Sequence, residues 1–199
     1  MQKKRTSLTA EREAKIRRVL ALRQKDLTLI LANIHDPHNV SAIYRSCDAF
    51  GVAEVHLYYT NTAFPTLGAK SSASARKWIR TLRHNDMGSL VSAVKAQNMR
   101  ILATSCSPAA KPLFELDLTL PTAIVMGNEH SGVDPEFTPH VDDEVYIPMY
   151  GMIQSFNVSV AAALLLAEAS RQRRAAGKYT TPTYSEDELA AIYAQWSEK

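Results

Sequence analysis

Short apolar runs alternate with helix-patterned segments along nearly the whole chain, and that alternation admits few architectures. Leu27 to Ala32, Val55 to Tyr59, Arg100 to Ser105, Ala123 to Met126 and Glu144 to Ile147 have the length and apolar character of buried strands, and Trp78-Ile79-Arg80 reads as the start of another. Between and around them, Glu11 to Gln24, Val40 to Phe50, Met87 to Gln97 and Ser155 to Ala176 carry helical spacing, with Gly51 and Gly177 where helices stop. Asp134-Pro135 reads as a capped helix start, and Ser185-Glu-Asp-Glu188 as a capping box opening a last helix. Residues 61–76 are rich in Ser, Thr, Ala and Pro and read as a loop. The pattern implies an α/β fold with a mostly parallel sheet and helices on both faces, and 199 residues suit one such domain.

Three strand-like runs end in small or polar residues: Asn33 to Gly51 (NIHDPHNVSAIYRSCDAFG), Ile124 to Gly132 (IVMGNEHSG) and Ile147 to Ser159 (IPMYGMIQSFNVS). Open α/β sheets bind ligands beyond the C-terminal ends of their strands, so these segments read as one site. The chain has seven glycines, and no two are spaced for the dinucleotide fingerprint. A ligand here is therefore not held by the usual glycine turn.

No apolar run reaches the roughly 18 residues of a membrane span, and the N-terminal segment lacks a hydrophobic signal core. A cytoplasmic protein is expected, with Cys47 and Cys106 as reduced, buried thiols. Residues 1–25 hold nine Lys or Arg against Glu11 and Glu13, a net +7; with +3 for the whole chain, the remainder carries −4. Arg171, Arg173, Arg174 and Lys178 form a second basic cluster. Basic ends on a nearly neutral body suggest a polyanion held by the flanks, although a solvated helix face and a cation-favouring helix C-terminus account for the same residues.

In the first segment Asn39 and Ser41 stand where a helix N-cap would. Arg45, between Tyr44 and Cys47 on an otherwise apolar helix, suits a grip on phosphate or carboxylate. Pro37 separates His35 from His38, so no metal site is expected there. In the second segment Gly127 allows close approach to a ligand; Glu129 suits a ligand amine, the ordering of Arg45, or a solvated turn. In the third, Ser155 and Asn157 can cap a helix. Main-chain groups between Ile147 and Phe156 can enclose an adenine, walled by Met149, Met152, Ile153 and Phe156.

With these motifs in hand, the sequence resembles the SpoU branch of the SPOUT RNA methyltransferases, and within it the TrmH group of tRNA guanosine 2′-O-methyltransferases. The likeness extends over almost the whole chain through VLALRQKDLT, HDPHNVSAIYRSCDAFGV, Lys77-Trp78, ILATS, IPMYGMIQSFNVSVAAA and EASRQRRAAGKY. Phe156 stands where that family usually has leucine.

The resemblance implies a C-terminal deep trefoil knot, a homodimer, and S-adenosylmethionine bound at Thr104, Gly127, Ile147, Met149 and Phe156. It implies catalytic and substrate-orienting roles for Asn39, Arg45, Glu129, Ser155 and Asn157, and tRNA contacts from Arg12, Arg23, Arg171 and Arg173. The corresponding organisation is a basic tRNA-binding helix in residues 1–25, a methyltransferase domain in 26–177 and a C-terminal extension helix in 178–199. The implied reaction is metal-free methyl transfer to a guanosine ribose 2′-oxygen, with D-loop position 18 of tRNA as the expected target. Arg45 reads either as the group that takes the 2′-OH proton or as the stabiliser of the developing alkoxide; a guanidinium pKa above roughly 12 weighs on the first. The alternatives are ribosomal RNA, the tRNA wobble position, or a non-catalytic RNA-binding assembly factor.

Overall fold

The computed structural model describes residues 8–65 and 75–199. Lys3, Lys4, Arg5 and most of the loop read over 61–76 lie outside the described residues. Helix α1 (Ala10–Ala21) leads into β1 (Gln24–Ala32), α2 (Pro37–Ala49) and β2 (Val52–Tyr58). A 3-10 turn (Ala75–Trp78) precedes β3 (Arg80–His84), α3 (Met87–Lys95) and β4 (Arg100–Thr104). The two-residue β5 (Lys111–Pro112), β6 (Thr122–Met126), a 3-10 helix (Pro135–His140) and β7 (Asp143–Tyr146) follow, then α4 (Val158–Ala175) and α5 (Glu186–Ser197).

The seven strands form one sheet in the order β3-β2-β1-β6-β4-β7-β5, and every pairing is parallel. Central β1 shows why these strands read as unbroken apolar runs. Leu27, Leu29 and Leu31 face a core shared with Ile43 and Tyr44 of α2 and Leu165 and Leu166 of α4. Ile30 and Ala32 face the opposite core with Leu90 and Val94 of α3 and Phe137. A third, smaller core joins Ile16 and Leu20 of α1 to Trp196 of α5, with Trp78 packed beside them.

Several local expectations are corrected. The N-cap of α2 is Asp36, whose carboxylate accepts the His38 N–H at 2.8 Å. Pro37 opens that helix because its fixed φ suits the first helical position, and Asn39 and Ser41 lie inside it. The segment after Asp134 is 3-10 rather than α; Pro139 within it removes a donor. Helix α4 begins at Val158, capped by Asn157, so Ser155 is upstream of it. Cys106 is exposed, whereas Cys47 is buried.

Two arginines expected at RNA are corrected by burial. Arg23 is 2 % exposed, donates to the Val52 carbonyl at 2.7 Å and pairs with Asp48. Arg173 is 0 % exposed, donates to the Leu118 and Leu120 carbonyls and pairs with Asp26, which Lys178 also holds at 2.7 Å. Both tie the helical flanks to the sheet. Arg12 is exposed, and so is Arg171, which bonds Glu168 at 2.8 Å.

Candidate active site

A cavity of about 1120 Å³ opens beyond the C-terminal ends of β4, β6 and β7. Thr104, Gly127, Ile147, Met149 and Phe156 all line it, as do Glu129, Ser155 and Asn157. Its inner wall is apolar, with Met126, Val145 and Leu165 buried. Exposed Gln154 and Ser155 and half-buried Phe156 stand on the last crossing before α4. The Thr104 hydroxyl donates to the Val125 carbonyl at 2.9 Å, so it locks the end of β4 to β6.

Gly127 has a stricter reason to be glycine than access for a ligand. A Cβ there would lie 2.3 Å from the Gly132 carbonyl carbon and 2.4 Å from the Val133 nitrogen. The chain doubles back on itself at this point: Asn128 and Gly132 exchange both backbone hydrogen bonds, at 2.8 and 2.9 Å, and Gly132 takes φ +71°. The turn brings Glu129 against the start of α2.

Glu129 is not a solvated turn acid. Its carboxylate accepts the His35 N–H at 3.0 Å, the Asp36 N–H at 3.4 Å and the Asn39 side-chain amide at 2.8 Å. Partial burial alone would raise its pKa, but these hydrogen bonds overcome that and hold the carboxyl below its ordinary range. Asn157 then donates to the Asn39 side-chain carbonyl at 3.0 Å. One chain of bonds, Glu129–Asn39–Asn157, therefore joins the three strand-end segments.

Ser155 lines the same mouth without a partner in that chain. Arg45 stands apart. It is exposed, it does not line the cavity, and six residues of helix separate it from Asn39, roughly 9 Å along the axis. Among the described residues nothing bonds its guanidinium, and no group of three or more His, Cys, Asp and Glu side chains could hold a metal ion.

The sequence reading missed a second tether. Asn128 donates its side-chain amide to the Asn33 carbonyl at 2.7 Å and accepts the His130 N–H at 2.9 Å. Asn33 itself takes φ +49° and accepts the Thr60 N–H at 3.0 Å. An asparagine at a strand end is the one available signal, since Asn tolerates the left-handed region better than other side chains.

The sequence model of the SpoU rRNA Methylase family matches residues 26–167. A tRNA (guanosine(18)-2′-O)-methyltransferase of Escherichia coli K12 is 46% identical over 168 residues, 84% of this chain and 73% of that protein. The crystal structure of the A. aeolicus TrmH/SpoU tRNA modifying enzyme superposes with a TM-score of 0.88 at 37% identity, covering 94% of this chain and 95% of that one. The SpoU methyltransferase AviRb from Streptomyces viridochromogenes, solved in complex with AdoMet, superposes with a TM-score of 0.70 at 25% identity, covering 85% of this chain and 66% of that one. With its strand-end cavity and its three joined segments inside the matched region, this chain belongs to the SpoU methylase family.

Proposed function

We propose that this chain uses S-adenosylmethionine to methylate the ribose 2′-oxygen of a guanosine in tRNA, at position 18. The observation that carries the proposal is the 46% identity to a relative named for that reaction, over a region that includes all three segments. The cavity fits the cofactor: it is large enough, its inner wall is apolar, and the tight turn that Gly127 permits forms part of its lining. Thr104, Gly127, Ile147, Met149 and Phe156 are the residues we assign to it. When bound, the cofactor supplies a sulfonium-activated methyl group.

The chain's own work lies on the acceptor. A ribose hydroxyl is a poor nucleophile until its proton leaves, and positive charge facing the oxygen stabilises the alkoxide as it forms. We assign that role to Arg45, because a guanidinium is always charged and has no lone pair to offer as a base at neutral pH. Asn39, Glu129, Ser155 and Asn157 are assigned to orienting the substrate: fixed bonds join Glu129, Asn39 and Asn157, and Ser155 lines the mouth of the cavity beside them.

Arg45 lies outside its own chain's cavity, so its assignment goes with a homodimer in which it serves the partner subunit's site. The surface suits one. Val160 and Leu164, one turn apart on α4, are 45 % and 37 % exposed, and Tyr150, Met152 and Ile153 are exposed beside the cavity mouth. No helix among the described residues is long and apolar enough to cross a membrane, and the cytoplasm is the assigned compartment. Incubation with labelled S-adenosylmethionine and total RNA, followed by mapping, tests the reading: label at guanosine 18 of tRNA supports it, and label confined to ribosomal RNA overturns it.

A further inference from the structure

Moving Arg23 and Arg173 into the interior leaves open which cations can meet a polyanion, and the structure gathers a set the sequence reading did not consider. The 3-10 turn at Ala75–Trp78 and the edge strand β3 expose Arg76, Lys77 and Arg83, and none of the three has an acidic partner among the described residues. Arg80 on the same strand is spoken for by Glu54 at 3.1 Å. The Arg83 guanidinium carbon lies 5.5 Å from the centre of the Phe64 ring, within cation–π range.

This edge is continuous with two other parts of the molecule. Trp78 packs on Trp196, ring centroids 5.0 Å apart, and the Lys199 ammonium donates to the Lys77 carbonyl, which sets the edge beside the α1–α5 cap. The exposed Arg12, Lys15 and Arg18 of α1 belong to that cap, whose acids are Glu11 and the Arg17-paired Glu13 on α1 and Glu186, Asp187, the Lys25-paired Glu188 and Glu198 on and after α5. On the other side, the Tyr44 hydroxyl of α2 meets Thr81 of β3 at 2.8 Å, one residue from Arg45. A cationic band thus runs from α1 across Arg76 and Lys77 to Arg83 and on to the helix that carries Arg45.

We propose that this edge, centred on Arg76, Lys77 and Arg83, is a binding surface for the phosphate backbone of the folded RNA substrate, at a distance from the methyl acceptor. The proposal rests on the functional reading above. Edge β3 lies three strands from β6, roughly 14 Å at the usual strand spacing, so a lone nucleotide in the cavity cannot touch both. A folded RNA can. Charge complementarity chooses the occupant: three exposed cations with no acidic partner, and no large exposed hydrophobic side chain beside them among the described residues, suit phosphates rather than a protein partner. Charges on an edge strand also discourage strand pairing between copies, and the test separates that role.

The experiment is salt-dependent tRNA binding by the triple variant Arg76→Gln, Lys77→Gln, Arg83→Gln, with steady-state kinetics, cofactor titration and circular dichroism on the same protein. The expected result is a tRNA Kd weaker by about tenfold or more and a log K against log salt slope shallower by about two units for three lost phosphate contacts. KM for tRNA rises with kcat nearly unchanged, and cofactor affinity stays as in the wild type. Unchanged Kd and slope would overturn the proposal, whether or not the variant aggregates more readily. If the triple variant melts early, Arg76→Gln and Arg83→Gln singly must each flatten the slope, and the proposal fails if neither does. A wild-type protein that binds tRNA through this edge but transfers no methyl would instead sink the functional reading and leave the surface standing.

Discussion

Glu129 leaves the end of β6 and accepts three hydrogen bonds from the start of α2, and its charge is what makes them strong. Glu129→Gln should cost about 1–3 kcal/mol near neutral pH, because donors aimed at a carboxylate then meet a weaker acceptor. The pH sense follows from its depressed pKa. The stabilisation is complete above the ordinary carboxylate value of about 4.3 and is lost as pH falls through the lower folded value. Urea denaturation across that range should show wild type and variant converging in acid; a gap that stays constant would contradict the account. Gly127→Ala should be worse for function. Its Cβ would sit 2.3 Å from backbone, so the turn must shift, destabilising the fold by about 1–3 kcal/mol and abolishing cofactor binding in calorimetry. Arg45→Ala should keep cofactor affinity, since its assigned role is at the acceptor oxygen and not at the cofactor, and lose about 10²–10³ in kcat.

The residue types at this site were legible because each stands directly after an apolar strand, but their partnerships were not. Nothing in the sequence says that Glu129 bonds the chain ninety-odd residues earlier, or that Gly127 is crowded by Gly132 rather than by a ligand. Those facts belong to the path of the backbone.

At the scale of elements, the basic flanks were read as one class and the structure divides them. Arg173 on α4 and Arg23 after α1 have the same composition signal as Arg171 and Arg12, yet they satisfy carbonyls and a carboxylate inside the protein. Sequence cannot separate these cases, because the partners, Asp26 and the Leu118 and Leu120 carbonyls, are distant in the chain. Arg173→Ala should therefore act on stability, by about 1–3 kcal/mol, since it removes the donor to the Leu118 and Leu120 carbonyls and leaves Asp26 with Lys178 alone. Chemical denaturation measures that loss, and tRNA affinity per folded molecule should be unchanged. The same logic rules out truncation of residues 1–24 as a clean test of α1, because it would remove Arg23 and uncover Trp196. Helix and strand positions themselves were legible within a few residues. The exceptions were β5, only two residues long, the turn before α2, where Asp36 rather than Asn39 caps the helix, and the segment after Asp134, which is 3-10.

At the scale of the molecule, α4 reads as apolar on nearly every face, and the structure sorts its residues. Leu165 and Leu166 are buried in the chain's own core, so a charge at Leu165 tests folding rather than association. Val160 and Leu164 remain outside. Leu164→Glu should leave circular dichroism unchanged, convert a sedimenting dimer to monomer and remove activity with it; a fully active monomer would contradict the dimeric assignment. The parallel sheet was legible from strand–helix alternation, whereas a knot is implied only by the resemblance, because threading leaves no mark on local periodicity.

Methyl transfer to a matched pair of tRNA transcripts tests the account most directly, one with an ordinary guanosine at position 18 and one with 2′-deoxyguanosine at that nucleotide alone. The account predicts close to one methyl group per molecule on the first and none on the second. Equal incorporation into both, or none into the first with folded, cofactor-binding protein, would contradict it.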